Sequence, residues 1–585
     1  MRATASDQTV RHALMLCLVV AAAAAVRPIA DLATTLGDTD DAMRLVEARA
    51  LLNGRPWFDL MEPRLAPPLG LAVHWSRFVD APIAVLLSFF SALFGPATGE
   101  SVMRAAWPLL VFAPTAYFWI RASAKLGAPS APWFTAAAAP LCWLLWDQFT
   151  PGRLDHHNVQ LLVMAALMWL SLDARRPLAA AWMGGLAAFA MAIGYEALPV
   201  IAWAGGLIGV RLILSRENAP AAQAFGLAFA GVTGAAFLAQ TPPAWWARSA
   251  CDALAFNGLA GGIAGGLALA AAGRWAPADW RARMACVALG GAAAAGVFIG
   301  MHPSCLRGPY GDLDPRLLSI WLDRVGEARP LWQALRAQPL MALSVSALPL
   351  ASLAAATVMV ARGTRRDAGF VGLAALLALT ALVSLLQTRG FTMATAAALP
   401  LAAAMLSAAP QVSRLRPMLA GLVLGFAASP TALLIALTAA TPATVHAREE
   451  RAVRLQAPCF ADTAFADLKR LPKGVVFADL DAGPFILALT PHAAASAPYH
   501  RLNGPIYDAM TAFYAPPAEA AKAVRRAGAD YVALCKSGVF ASEAKPGTFG
   551  HALKHGAAPE WAEPLPSASG NYLLFRVNRA ALPAG

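Results

Sequence analysis

From residue 12 to residue 440 the chain is a succession of apolar runs, most of them long enough to cross about 30 Å of hydrocarbon, separated by short polar loops. The pattern predicts about thirteen membrane-spanning helices, over 12–30, 103–121, 130–147, 157–172, 178–193, 200–214, 222–240, 258–272, 285–301, 339–361, 368–386, 391–409 and 418–439. A further apolar stretch at 82–95 is short for a span and reads as a helix lying in the interface, inside a first external loop at 31–102. After 441 the runs shorten. Strands are predicted over 474–480, 531–536 and 572–578 and a helix over 518–527, so that 441–585 reads as a soluble α/β domain following a membrane domain at 1–440.

Lys and Arg set the orientation, because short cytoplasmic loops carry the positive excess. Arg2 and Arg11 precede the first helix, and every second helix then ends in a basic loop: Arg121 and Lys125, Arg175 and Arg176, Arg211 and Arg216, Arg274 to Arg283, Arg362 to Arg366, and Arg414 with Arg416. The opposite face carries the loops 31–102, 148–157 and 302–338, the turn at Tyr195-Glu196 and the C-terminal domain. Arg11 before a Leu/Val/Ala run also fits a signal peptide. No small-residue cleavage site precedes Arg27-Pro28, so the segment is read as an uncleaved first helix. In a bacterial inner membrane this loop face and the domain look into the periplasm.

Composition agrees: 58% of the 585 residues are hydrophobic and 14% charged, which excludes an ordinary soluble enzyme. The net charge of +12 is accounted for by the basic loops, which removes the reason to expect nucleic acid as a partner. Of the seven cysteines, Cys17, Cys142 and Cys286 fall in or beside apolar helices. Cys459 and Cys535 fall in the external domain, where an oxidising compartment favours a disulfide between them. Cys305 has no assigned role.

Two acidic clusters share the external face, Gly37-Asp38-Thr39-Asp40-Asp41 and, after Arg153-Leu154, the run Asp155-His156-His157-Asn158. Each alone also reads as a helix cap. Together they read as a divalent-cation site, with hard carboxylate oxygens from Asp41 and Asp155 suiting Mg²⁺ or Mn²⁺ and the His157 imidazole shifting the preference toward Mn²⁺. Asp155 and His157 are two apart and share a face only if this piece is extended. His74-Trp75-Ser76-Arg77 adds an aromatic and cationic patch, suited to a sugar and a phosphate or equally to a Trp anchored at the interface. Trp245-Trp246 reads as an aromatic belt, and Glu196 as either a general base or an interfacial charge.

Over essentially its whole length the chain resembles the catalytic subunit of oligosaccharyltransferases, in the GT-C superfamily of polyprenol-dependent glycosyltransferases. Asp40-Asp41-Ala42-Met43-Arg44-Leu45 looks like the family's first acidic motif, and Asp155-His156-His157 is similar to the Asp-x-His form of the second. Val325-Gly326-Glu327 echoes its Val-Ser-Glu or Thr-Ile-x-Glu element, and Arg389 is similar in place to the Arg that meets the donor diphosphate. One motif departs. Where the family has Trp-Trp-Asp-Tyr-Gly, which reads the peptide acceptor, this chain has Phe477-Ala478-Asp479-Leu480-Asp481-Ala482-Gly483, without either Trp or the Tyr.

The resemblance implies metal-dependent, inverting transfer of a sugar or oligosaccharide from a polyprenyl-linked donor in the bilayer. Asp41, Asp155 and His157 would hold Mn²⁺ or Mg²⁺. Arg389, with His74, Trp75 and Arg77, would meet the donor, Asp40 or Glu327 would orient or deprotonate the acceptor, and Asp481, His500 and Arg501 would lie on the acceptor side. The altered motif leaves the acceptor open among glycan, lipid and protein, and admits a polyprenyl-monophosphate sugar as donor. A transporter of lipid-linked sugars is the alternative of a different class. Transporters place ionisable groups mid-span in repeated halves, whereas here the acidic groups cluster at one interface and no internal repeat is visible. Retention of Asp41, Asp155 and His157 speaks against an inactive scaffold.

Overall fold

The computed structural model of the chain describes residues 5–32, 34–407, 416–442 and 457–583. Arg2 and Arg414, two of the orientation charges, lie outside the described residues. Each predicted apolar segment is helical, beginning with α1 (Ala5–Asp31) and continuing through α4 (Pro96–Leu126) to the pair Pro417–Ala427 and Pro430–Ala440. Eight described helices are long and apolar enough to cross a membrane, or nine if that pair, bent by 53°, is one span. Several others are short because Pro or Gly cuts them, as at Ala131–Leu141, which stops one residue after Pro140. The helix Trp280–Met301 buries only Arg283, leaving a hydrophobic surface on all sides that water would not tolerate. This is a multi-pass membrane protein.

The first loop holds α2 (Thr39–Leu52), a hairpin of β1 (Met61–Glu62) with β2 (Leu71–Ala72), and α3 (Arg77–Phe94), which starts five residues before the predicted interfacial helix. By length α3 qualifies as a span. Its ends argue otherwise: Asp80 in its first turn pairs with Arg44 of α2, and Glu100, six residues beyond its last and near the start of α4, pairs with Arg49 of α2. Arg49 also donates to the Ala488 carbonyl of the C-terminal domain. Both ends of α3 therefore lie on the face that carries that domain.

The domain is a five-stranded sheet in the order β4 (Ala493–Ala494), β3 (Val475–Ala478), β5 (Tyr531–Cys535), β7 (Tyr572–Val577) and β6 (Ala562–Leu565), parallel across the first three and antiparallel across the rest. The predicted strands are present within one or two residues; β4 and β6, two and four residues long with Pro564 on the edge, carry too little pattern to predict. Edge strand β4 is closed by the first loop, through Ala66 N–H to the Ala494 carbonyl and Ala494 N–H to the Arg64 carbonyl. Tyr499 reaches down to the Thr39 carbonyl, 3.0 Å away, so the domain sits directly on α2.

Cys459 is bonded to Cys535 and Cys251 to Cys305, all on the domain side, while Cys17, Cys142 and Cys286 in the helices are free. Peptide mapping without reduction is expected to recover these two cross-links. Reducing either should lower stability by about 2–4 kcal/mol, read as a fall in melting temperature.

Candidate active site under the C-terminal domain

Asp38 caps α2, its carboxylate accepting from the Asp40 and Asp41 N–H groups at 3.0 Å, and Asp41 closes a capping box by accepting from Asp38 N–H at 3.1 Å. The rest of the Asp41 carboxylate is also taken. It accepts Leu154 N–H at 2.7 Å, Asp155 N–H at 3.0 Å and Arg153 Nη1 at 3.0 Å, so it staples the first loop to the second. This corrects the reading of Asp41 as a metal ligand: a fully buried carboxylate with four donors, two on each oxygen, has no free face. Asp40 is the opposite case. Among the described residues no donor reaches its carboxylate, which lines the central cavity, and burial, then Asp155, Asp38 and Glu327, push it well above the carboxylate range.

Asp155 accepts the His156 backbone N–H and ring Nδ1, both at 2.7 Å. The segment is not extended as expected: His156 has φ −73° and ψ −11°, and the opening turn of His157–Ser171 brings His157 back to Asp155. His157 Nδ1 lies 2.9 Å from the Gln160 amide oxygen, which only accepts, so Nδ1 carries the proton. In the neutral ring Nε2 then carries the lone pair, and it points at the other Asp155 oxygen, 3.4 Å away. Two lone pairs facing each other are what a cation would relieve, and Asp40 lines the same chamber as His157. Carboxylate and imidazole are donor types that a divalent ion takes, but among the described residues Asp40, Asp155 and His157 do not bring their ligand atoms within 4.8 Å of one another.

His156 carries fixed positive charge. Burial opposes it, but Asp155 and Glu196 outweigh burial and raise the ring to about 10, while burial of Asp155 is overcome chiefly by His156, which holds that carboxyl well below its usual range. Glu196, in the turn Tyr195–Ala197, lies 3.6 Å from His156 and 3.2 Å from the Gln160 amide nitrogen. On the opposite wall the Arg389 N–H donates to the Glu327 carbonyl at 3.0 Å, and its guanidinium lies 3.8 Å from the Glu327 carboxylate and bonds the Tyr310 hydroxyl. Glu327 and Arg389, 62 residues apart in the chain, form one unit.

Three cavities join here. A groove of about 480 Å³ has an apolar floor that includes Leu161, Met341, Val345 and Met393, and a polar rim of His157, Glu196, Glu327 and Arg389. The same rim residues line a central chamber of about 460 Å³, to which α2 adds Asp40 and the C-terminal domain, its roof, adds Asp479 and Asp481. A side cavity of about 320 Å³, with Trp245 and Arg248, opens where His74, Trp75, Asp252 and His500 are shared with the chamber.

Other expectations separate by location. Arg77 lines none of these cavities; it is fully buried, paired with Glu47 at 2.9 Å and Asp80 at 3.1 Å and bonded to the Trp57 and Asp59 carbonyls, which corrects its reading as a donor contact. Trp75 is 6% exposed, edge-on to Tyr499 with the Arg44 guanidinium 4.4 Å from its ring, so it is a wall of the chamber and not an interface anchor. Trp245 faces the side cavity. His500 and Arg501 both hold Asp252, at 2.7 Å. Asp481 is buried at the roof and pushed up to about 6; Asp479 beside it is pushed up to about 8 by burial and by Asp481, and one of its oxygens has no partner. His156, Tyr310 and Asp252 were not assigned roles from sequence, since single residues in loops carry no periodicity.

No family model matches this chain, and no curated protein matches it. Solved structures do. The archaeal oligosaccharyltransferase AglB from Archaeoglobus fulgidus, in complex with an inhibitory peptide and a dolichol-phosphate, superposes with a TM-score of 0.61 at 14% identity, over 98% of this chain and 75% of that one. The same enzyme in complex with Zn and sulfate gives 0.57 at 13% identity, over 98% and 74%. Tethered to an acceptor peptide it gives 0.59 at 13% identity, again over 98% and 74%. At this identity, coverage of 98% of the chain shows the fold alone: the chain has the fold of the archaeal oligosaccharyltransferase AglB.

Proposed function

We propose that the protein is a membrane glycosyltransferase that moves a sugar or oligosaccharide from a polyprenyl-(di)phosphate donor to an acceptor in the periplasm, with inversion. The observation that carries this reading is the junction of an apolar groove with a polar chamber at His157, Glu196, Glu327 and Arg389. A polyprenyl chain fits the groove, which leaves its phosphate at Arg389, a permanent cation that pairs with phosphate oxygens in a bidentate way. Asp40, Asp155 and His157 hold Mn²⁺ or Mg²⁺, which when bound supplies Lewis acidity for the departing phosphate. His156 keeps Asp155 ionised, and Gln160 keeps the His157 Nε2 lone pair free. Glu327, with its carboxylate 59% exposed beside Arg389, orients or deprotonates the acceptor. The Archaeoglobus enzyme's complexes with dolichol-phosphate, Zn and acceptor peptide support a lipid-linked donor, a metal and an acceptor meeting in one chamber. The disulfides on this face and the basic loops on the other support a periplasmic site in an inner membrane.

The test is release or transfer of glycan from a polyprenyl-diphosphate donor pool by purified protein with Mn²⁺, with EDTA, and with Asp155→Ala. Activity is expected with Mn²⁺ and a fall of about 10²–10³-fold in the other two. A donor left intact in all three would move the reading to a monophosphate donor or to transport.

A further inference from the structure

In the chamber that His157 also lines, three segments far apart in the chain converge at the mouth of the side cavity. His74 comes from the first loop, Asp252 from the loop after Ala219–Gln240, and His500 from the C-terminal domain. One ligand atom from each lies within 4.8 Å of the other two. His500 Nε2 is 2.7 Å from one Asp252 oxygen, and Arg501 grips both oxygens of that carboxylate at 2.7 Å. His74 Nδ1 is buried with no hydrogen-bond partner, and burial keeps its ring neutral, at about 3.

We propose that His74, Asp252 and His500 form a second divalent-cation site, distinct from the one at Asp155 and suited to Zn²⁺ or a similar first-row ion. Two imidazoles and one carboxylate are a ligand set that first-row ions accept while keeping a position open for water or a substrate oxygen. Magnesium, which prefers oxygen throughout, is poorly served. Arg501 takes one lone-pair direction on each Asp252 oxygen and leaves the other, so it acts as the outer partner that fixes a metal-bound carboxylate. Its charge opposes the ion, which further favours one held by strong bonds to imidazole over one held by charge alone. Because all three ligands border the central chamber and the side cavity, the open position is available to a hydroxyl or anionic oxygen of the acceptor. An ion here also ties the first loop to the domain that roofs the chamber. Cys251, His302 and Cys305 also converge, but their disulfide commits both sulfurs.

The experiment counts ions and needs no turnover, so failure of this site and failure of the glycosyltransferase reading are separately visible. Full-length Asp155→Ala/His157→Ala protein, with disulfides intact and stripped by chelator, is loaded with Zn²⁺, desalted and measured by plasma mass spectrometry. About one Zn²⁺ per chain is expected, and none once His74→Ala or His500→Ala is added. An Asp155→Ala/His157→Ala protein that retains no ion overturns the proposal, as does one that keeps its ion after both histidines are replaced. If the histidine variants do not fold, Co²⁺ spectra of Asp155→Ala/His157→Ala alone decide it: nitrogen-ligated d–d bands at one equivalent support the site, and their absence rejects it.

Discussion

Asp40→Asn is expected to leave the protein folded and remove about 10³-fold of its transfer activity, equivalent to about 4 kcal/mol of transition-state stabilisation. The carboxylate receives no hydrogen bond among the described residues and is pushed up by burial and by Asp155, so neutralising it relieves repulsion and should raise the melting temperature slightly. The cost falls on the cation, which loses one of its anionic ligands. Asp41→Asn is expected to behave in the reverse sense. An amide at that position presents N–H groups to donors it cannot satisfy, among Asp38, Arg153, Leu154 and Asp155, and should destabilise by about 1–3 kcal/mol for each group left unpaired. Melting curves and metal affinity measured side by side separate the two. A normal melting temperature in Asp41→Asn with lost metal affinity would return the ligand role to Asp41.

Arg77→Ala is expected to lower stability by about 3–5 kcal/mol, the usual cost of removing one partner from a buried ion network. Arg77 is fully buried between Glu47 and Asp80, and those carboxylates are shared with Arg55 at 3.0 Å and Arg44 at 2.5 Å. Loss of the central cation leaves three carboxylates, Glu47, Glu62 and Asp80, to share Arg55 and Arg44, and leaves two backbone carbonyls without that donor. Folded Arg77→Ala should keep the wild-type KM for the donor within a few-fold, whereas Arg389→Ala should raise it without touching the melting temperature. A donor KM that rises in folded Arg77→Ala would restore that residue to the donor site. Arg77→Met with Glu47→Gln should recover part of the lost stability, because the network is then shortened instead of broken.

The sequence was most informative where a property is one-dimensional. Lipid selects continuous apolar stretches of fixed length, so most predicted segments are helical, although 130–147 breaks after Leu141 and 418–439 is a bent pair; the central strands of the domain, buried and β-branched or aromatic, were equally legible. The two acidic clusters and Glu327 with Arg389 could be named as chemistry because ionisable groups at membrane boundaries are costly and so conspicuous.

What only the tertiary structure decided was direction. Asp40 and Asp41 are neighbours in the first turn of α2, about 100° apart around it, and nothing in their order says which faces the chamber. The answer came from Leu154 and Asp155, more than a hundred residues away, whose N–H groups claim Asp41. Arg77 was drawn toward the donor by its neighbours His74 and Trp75, yet Glu47 and Asp80 pull it into the core. Asp252 and Tyr310 carried no signal at all until folding placed them against His500 and Arg389. Hydrophobicity and net charge are summed along a chain and survive unfolding; the choice of partner for one carboxylate depends on which donors the fold delivers to it, and those arrive from every part of the sequence.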